Sequence, residues 1–271
     1  MRIALAQVNS GTDPAANLEI VRERTRAAAA AGAELIVFPE AMLCRFGVRL
    51  DTVAEPLDGP WATAVADLAD ETGVAVVAGM FTPAGDGRVR NTLLIAVPGA
   101  PVTGYDKIHL FDAFGFAESE TVAAGDAPVT VEVAGHRVGV ATCYDIRFPQ
   151  LFTELARRGA ELIVVPASWG AGPGKLEQWE LLAAARALDS QTFVAAVGQA
   201  LPDDPAVRES RAPTGIGHSR ISDPFGSVVA DYGPGEQLGV HELDLTATGR
   251  ARAALAVLDN QREIARLNRT E

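Results

Sequence analysis

Cysteine is scarce: the 271 residues contain only Cys44 and Cys143, too few for a disulfide framework. Histidine is also sparse, and its four well-separated copies lack the spacing of zinc ligands. No run approaches the roughly 18 to 20 uninterrupted apolar residues of a membrane span. The segment Met1 to Val8 reads as a strand entering a fold, and it has no basic region, apolar stretch or cleavage site of a signal peptide. A cytoplasmic protein is expected. Positive charge is also in deficit. A formal net charge of -12, with acidic residues scattered along the chain, argues against nucleic acid or an anionic membrane as partner. Any cysteine chemistry would then be that of a free thiol. The plain alternative is that each cysteine is a small buried hydrophobe.

What the chain does have is an internal repeat. Gly32-Ala33-Glu34-Leu35-Ile36-Val37-Phe38-Pro39-Glu40 returns as Gly159-Ala160-Glu161-Leu162-Ile163-Val164-Val165-Pro166-Ala167. Each copy follows a helix and ends in a short apolar run, β-branched at its centre and stopped by proline, as a buried strand requires. The surroundings match too: Arg2 to Val8 parallels Arg137 to Cys143, and Val74 to Gly79 parallels Phe193 to Gly198. Each half therefore reads strand, helix, strand, helix, strand, then a hairpin. Asp13 before Pro14 predicts an N-cap, Pro60 and Pro149 open later helices, and Gly32, Gly73 and Gly159 stand where helices stop. Between Leu176 and Ser190 a helix is predicted, with Leu176, Trp179, Leu182 and Ala183 on one apolar face and polar residues elsewhere. Helices alternating with buried strands imply an α/β layer structure, and two such halves can stack sheet on sheet with helices outside. No Ser/Gly linker separates them, so residues 1–271 read as a single domain.

Ligands of α/β units usually bind beyond the carboxyl ends of the strands. Three chemically capable residues fall there. Glu40 closes the second strand of the first half, Cys143 the first strand of the second half, and Lys107 follows a hairpin at Asn91–Val97 and Val102–Tyr105. In the repeat, Ala167 stands opposite Glu40 and Val8 opposite Cys143, so each reactive group occurs once in a duplicated scaffold. That pattern suggests one shared site. A thiol, mostly protonated at neutral pH, needs a base or a cation to become a nucleophile. Glu40 would take its proton and return it to a departing amine. Lys107 would favour the thiolate and stabilise an oxyanion, with the Tyr144 backbone N–H as the second donor. Taken singly, Glu40 and Lys107 read equally well as solvated side chains at a strand end or loop.

The segments Phe38-Pro39-Glu40, Tyr105-Asp106-Lys107-Ile108-His109-Leu110-Phe111-Asp112 and Cys143-Tyr144-Asp145-Ile146-Arg147-Phe148-Pro149 together resemble the nitrilase-like carbon–nitrogen hydrolases along nearly the whole chain. The resemblance implies a Glu-Lys-Cys triad at Glu40, Lys107 and Cys143 in a four-layer αββα sandwich of two similar halves. It also implies assembly as homodimers or larger homo-oligomers across a helical face, while the chemistry of these three residues requires no metal or organic cofactor. It places a second glutamate at Glu118, in Phe116-Ala117-Glu118-Ser119, orienting Lys107 and assisting proton transfer. The late stretch Gly217-His218-Ser219 with Asp223-Pro224-Phe225-Gly226 looks like the family's final hairpin, and His218 is read as structural. Gln150 stands where the family often carries glutamate, at a helix start where an acid would contribute at most about 1 kcal/mol.

The residues after Cys143 look like those of the small-amide branch, which includes ω-amidases and deaminated-glutathione amidases. Its substrates carry carboxylates. Arg147 would contact such an anion, guanidinium matching carboxylate bidentately, unless it forms a salt bridge that supports the turn after Cys143. The expected reaction is hydrolysis of a small, carboxylate-bearing linear amide to acid and ammonia through a thioester on Cys143. The alternatives are a carbamoyl-amide or nitrile substrate, acyl transfer to an amine, and a catalytically silent scaffold.

Overall fold

The structure, a computed structural model, describes residues 1–113 and 115–262; the last residues of the expected single domain lie outside them. In the first half, β1 (Arg2–Gln7), β2 (Leu35–Val37) and β3 (Ala75–Pro83) run parallel, separated by α1 (Pro14–Ala30) and α2 (Pro60–Thr72). The hairpin strands β4 (Val89–Ala96) and β5 (Thr103–Asp106) then extend the sheet antiparallel. A two-stranded ribbon follows, β6 (Asp112–Ala113) with β7 (Phe116–Ala117). The second half supplies β8 (Thr130–Val133), β9 (His136–Val140), α3 (Pro149–Arg157), β10 (Leu162–Ala167), α4 (Lys175–Ser190), β11 (Phe193–Gly198), a short α5 (Pro205–Arg208), β12 (Arg220–Ser222) and β13 (Val228–Asp231). The chain closes with β14 (Gln237–Glu242), α6 (Thr246–Leu255) and α7 (Val257–Asn260).

Two six-stranded sheets result, in the orders β14-β1-β2-β3-β4-β5 and β13-β12-β11-β10-β9-β8. Their facing sides meet: Ile3, Leu5, Leu35 and Val37 pack with Val138, Val140, Leu162 and Val164 in one buried core. The opposite face of the first sheet, with Ala4, Ala6 and Ile36, packs on Val21 of α1 and Trp61 and Val65 of α2. Ile163, Val165 and Val194 of the second sheet pack likewise on Phe152 and Leu155 of α3 and Trp179 of α4. This is the expected α/β sandwich of four layers, helices outside two sheets. Burial on both faces is why the central strands read as unbroken apolar runs and not as alternating ones. The punctuation acts where expected. Asp13 accepts a 2.9 Å bond from the Ala15 N–H, and Gly73 ends α2 in the left-handed region at φ 70°.

Three details differ from the sequence expectation. Each sheet has a sixth strand outside the repeat, β8 beside β9 and β14 beside β1, both antiparallel. The strand that completes the first sheet is thus drawn from the far end of the chain, which ties the halves together. Neither reactive residue is the last of its strand: β2 ends at Val37 and β9 at Val140, so Glu40 and Cys143 both lie in the turns that follow. The outer face of α4 is not wholly polar, because Leu181 and Leu188 are exposed there. Among the described residues no helix is long and apolar enough to cross a membrane.

Candidate active site

The turn carrying Glu40 fits against β3 only because residue 79 is glycine. A Cβ there would stand 2.3 Å from the Ala41 nitrogen. Instead Gly79 donates to the Pro39 carbonyl at 3.2 Å and accepts from the Leu43 N–H at 2.8 Å. Cys143 opens a tight 3-10 turn, Cys143–Arg147, in the left-handed region at φ 45°. A non-glycine residue in that region costs on the order of 1 to 3 kcal/mol, so surrounding bonds must hold it there.

Asp145 supplies them. Its fully buried carboxylate accepts from the Thr142 N–H (2.9 Å) and the Tyr105 hydroxyl (2.7 Å) on one oxygen. The other oxygen accepts from the His109 N–H (2.9 Å) and His109 Nδ1 (2.7 Å). A carboxylate offers no proton, so that His109 nitrogen is the protonated one. One side chain thus ties the turn of Cys143 to both flanks of Lys107. Asp145→Asn would turn an NH2 group towards donors. We expect it to lower kcat by about tenfold or more and thermal stability by about 1 to 3 kcal/mol, read by ammonia release and thermal unfolding. Unchanged kcat would contradict this role.

Glu40, Lys107, Glu118 and Asn91 meet in one buried cluster. Lys107 Nζ lies 3.2 Å from Glu40 Oε1 and 3.1 and 2.9 Å from the two oxygens of Glu118. The Asn91 amide, on β4, donates to Glu40 (2.7 Å) and to Glu118 (3.3 Å). The Ser168 N–H donates to Glu40 Oε2 at 2.8 Å and the Phe111 N–H to Glu118 Oε2 at 2.7 Å. Glu40, Lys107 and Glu118 all act electrostatically on the buried Cys143 thiol. Each carboxylate is therefore held by several donors.

Two carboxylates surround one ammonium, and that balance sets the charge states. Burial alone would lower the Lys107 pKa, but Glu40 and Glu118 outweigh it and hold the amine above its ordinary value, hence charged. Burial pushes the Cys143 thiol well up and the Glu40 charge pushes it further, while Lys107 pulls it down without prevailing. The resting sulfur is therefore a protonated thiol. Lys107 does not by itself hold a thiolate, and deprotonation falls to Glu40 at the moment of attack.

Of the remaining expected residues, Tyr144 and Arg147 share the turn of Cys143. Tyr144 follows it in the turn, half-buried, its ring edge-on to Phe111 (5.0 Å) and Phe148 (5.3 Å). The first N–H groups of a helical turn have no acceptor within it, which leaves the Tyr144 N–H as a candidate oxyanion donor. Arg147 forms no salt bridge with a carboxylate among the described residues; its guanidinium donates to Gln178 Oε1 at 2.6 Å and lies 5.1 Å from the Trp169 ring centre. Cys44 is fully buried in the outer core with α1 and α2, away from this chemistry. His218 uses its backbone, accepting from Trp179 Nε1 at 2.8 Å. Asn91, Asp145 and Lys175 were not singled out from the sequence. Asp145 stands inside a quoted motif, and only its buried, four-donor environment marks it.

The family model of carbon-nitrogen hydrolases matches residues 2–253. The chain belongs to that family. It is similar to Hydrolase Rv0480c of Mycobacterium tuberculosis, 58% identical with 100% of this chain and 99% of the relative covered. It is also similar to the deaminated glutathione amidase of Escherichia coli O157:H7, 36% identical over 91% of each chain. The crystal structure of Saccharomyces cerevisiae Nit3, a member of branch 10 of the nitrilase superfamily, superposes with a TM-score of 0.81 at 29% identity, covering 94% of each chain. This carbon-nitrogen hydrolase is of the amidase type.

Proposed function

We propose that the enzyme hydrolyses a small linear amide bearing a carboxylate, in the cytoplasm, through a thioester on Cys143. The observation that carries this reading is the buried cluster in which Lys107 pairs with both Glu40 and Glu118, within electrostatic reach of the Cys143 thiol. Glu40 takes the thiol proton as sulfur attacks the amide carbon. Lys107 and the Tyr144 N–H receive the oxyanion. Glu40 then passes the proton to the nitrogen, the C–N bond breaks and ammonia leaves. Water, deprotonated by Glu40, attacks the thioester, and the sulfur regains its proton as the acid departs. Glu118 holds Lys107 in place by its two short contacts. Arg147, whose charge meets no carboxylate of the protein among the described residues, receives the carboxylate of the substrate.

The expected homodimer or larger homo-oligomer has a supporting face on α4. Exposed Leu181 and Leu188 lie there, Leu188 next to Gly226 and the exposed Phe225.

Purified protein offered a panel of small acid amides should release ammonia. No turnover across the panel would contradict the reading in favour of a silent scaffold, and hydroxamate formed on adding hydroxylamine measures acyl transfer to an amine. Lys107→Arg keeps the charge but is longer and planar. It should still lose about two to three orders of magnitude in kcat, as for removal of an oxyanion donor. Borohydride in the presence of substrate should leave Lys107 unmodified by mass, and a reduced imine there would overturn its role.

A further inference from the structure

Lys175, the first residue of α4, is brought beside Arg147 by the crossing of α4 over the turn after Cys143. Its Nζ lies 5.8 Å from the centre of the Trp169 ring, the same ring that Arg147 approaches to 5.1 Å, and 5.5 Å from the Phe111 ring. The Lys175 backbone is fixed on both sides, its N–H donating to the Gly172 carbonyl at 3.1 Å and its carbonyl accepting from Trp169 Nε1 at 2.9 Å. Gln178, one turn further along α4, holds the Arg147 guanidinium with a neutral oxygen. Burial lowers the Lys175 pKa first and the neighbouring Arg147 charge lowers it further, while Cys143 would act on it in the opposite sense only as the thiolate. Two cations therefore share one aromatic wall within electrostatic reach of the candidate nucleophile, in a chain whose net charge is -12. Like charges held together cost free energy that a bound anion returns.

We propose that Lys175 is the second cation of a carboxylate-binding clamp with Arg147, and that it sets the preference of the enzyme for monoamides of dicarboxylic acids over neutral amides. The inference rests on the amidase site proposed above. Arg147 presents its planar fork to the carboxylate and Lys175 adds a point charge on the other side. The clamp fixes the distal end of the substrate while the amide carbon faces Cys143.

The test compares wild type, Lys175→Met and Lys175→Arg with succinamate and with its neutral analogue butyramide, by ammonia release. Met keeps the length and the contact with the rings but removes the charge. The ratio of kcat/KM for succinamate over butyramide should fall by about tenfold or more in Lys175→Met, as for loss of a charge-assisted bond, with the change carried by KM. Lys175→Arg should recover most of that ratio. A ratio unchanged in Lys175→Met, or a wild-type enzyme that prefers butyramide, overturns the proposal. Succinate binding by calorimetry to the Cys143→Ala variant, with and without Lys175→Met, reads the clamp without turnover. A fall of about tenfold in affinity is expected, and an equal affinity overturns the clamp. If wild type hydrolyses neither amide, the amidase reading fails while the calorimetry still decides Lys175.

Discussion

Cys143→Ala is expected to abolish ammonia release from every amide while the protein stays folded. The residue is half-buried in the turn after β9, and alanine keeps the Cβ that meets the surrounding atoms, so the loss of packing is small. The left-handed backbone at φ 45° is held by Asp145 and not by the sulfur, and alanine bears the same strain there. Thermal unfolding should move by no more than about 1 kcal/mol of stability. Cys44→Ala is the control. Its thiol is buried against the Thr12 carbonyl at 3.6 Å, so removing it should cost stability and leave most of the activity. Measurable turnover by the first variant, or complete inactivation of the second, would reopen the choice of nucleophile.

Glu40→Gln should lower kcat for amides by about three orders of magnitude, because the thiol must lose a proton and the leaving nitrogen must gain one. The three donors that converge on Glu40 sharpen the effect. Asn91, Lys107 and the Ser168 N–H all point at its oxygens, and the NH2 group of glutamine has to face one of them. An activated ester of the same acid should acylate with a smaller penalty, its leaving group needing no proton. A second consequence concerns the thiol itself. The Glu40 charge is, after burial, the largest cause holding the Cys143 pKa up, so its removal should lower that pKa, readable in the ultraviolet absorbance of the thiolate. An unchanged titration together with near wild-type amide turnover would show that Glu40 is not the proton shuttle.

The core of the fold was legible because its strands are buried on both faces and therefore appear as apolar runs, and because the run Gly32 to Glu40 recurs from Gly159. The edge strands were not. Residues of β14 are mostly half-buried and those at its ends exposed, so Gln237–Glu242 carries no such run, and its pairing with β1 joins residues far apart in the chain. Glu40, Lys107 and Cys143 stood out because each follows a strand and, for Glu40 and Cys143, because the other half lacks the counterpart. Glu118 came only from family resemblance. It lies in a short turn, Glu118–Glu120, after the small ribbon, and its buried carboxylate meets Lys107, Asn91 and the Phe111 N–H. Asn91 sits mid-strand, and its amide acquires a role through two carboxylates that arrive from other segments. Lys175 opens a helix after a glycine-rich stretch, a place where sequence alone assigns a solvated charge. Only the packing of α4 sets it beside Arg147 and Trp169.

The thioester is the central claim, and the most direct measurement is the intact mass of Glu40→Gln protein mixed with an activated ester of a small dicarboxylic acid monoamide's parent acid, followed by peptide mapping. With Glu40 unable to activate water, the acyl group should persist as a single adduct of the acid's mass less water, located on Cys143 and absent from the Glu40→Gln/Cys143→Ala double variant. An adduct on Lys107, Cys44 or any other residue, or protein that stays unmodified while the ester is turned over, would contradict the mechanism.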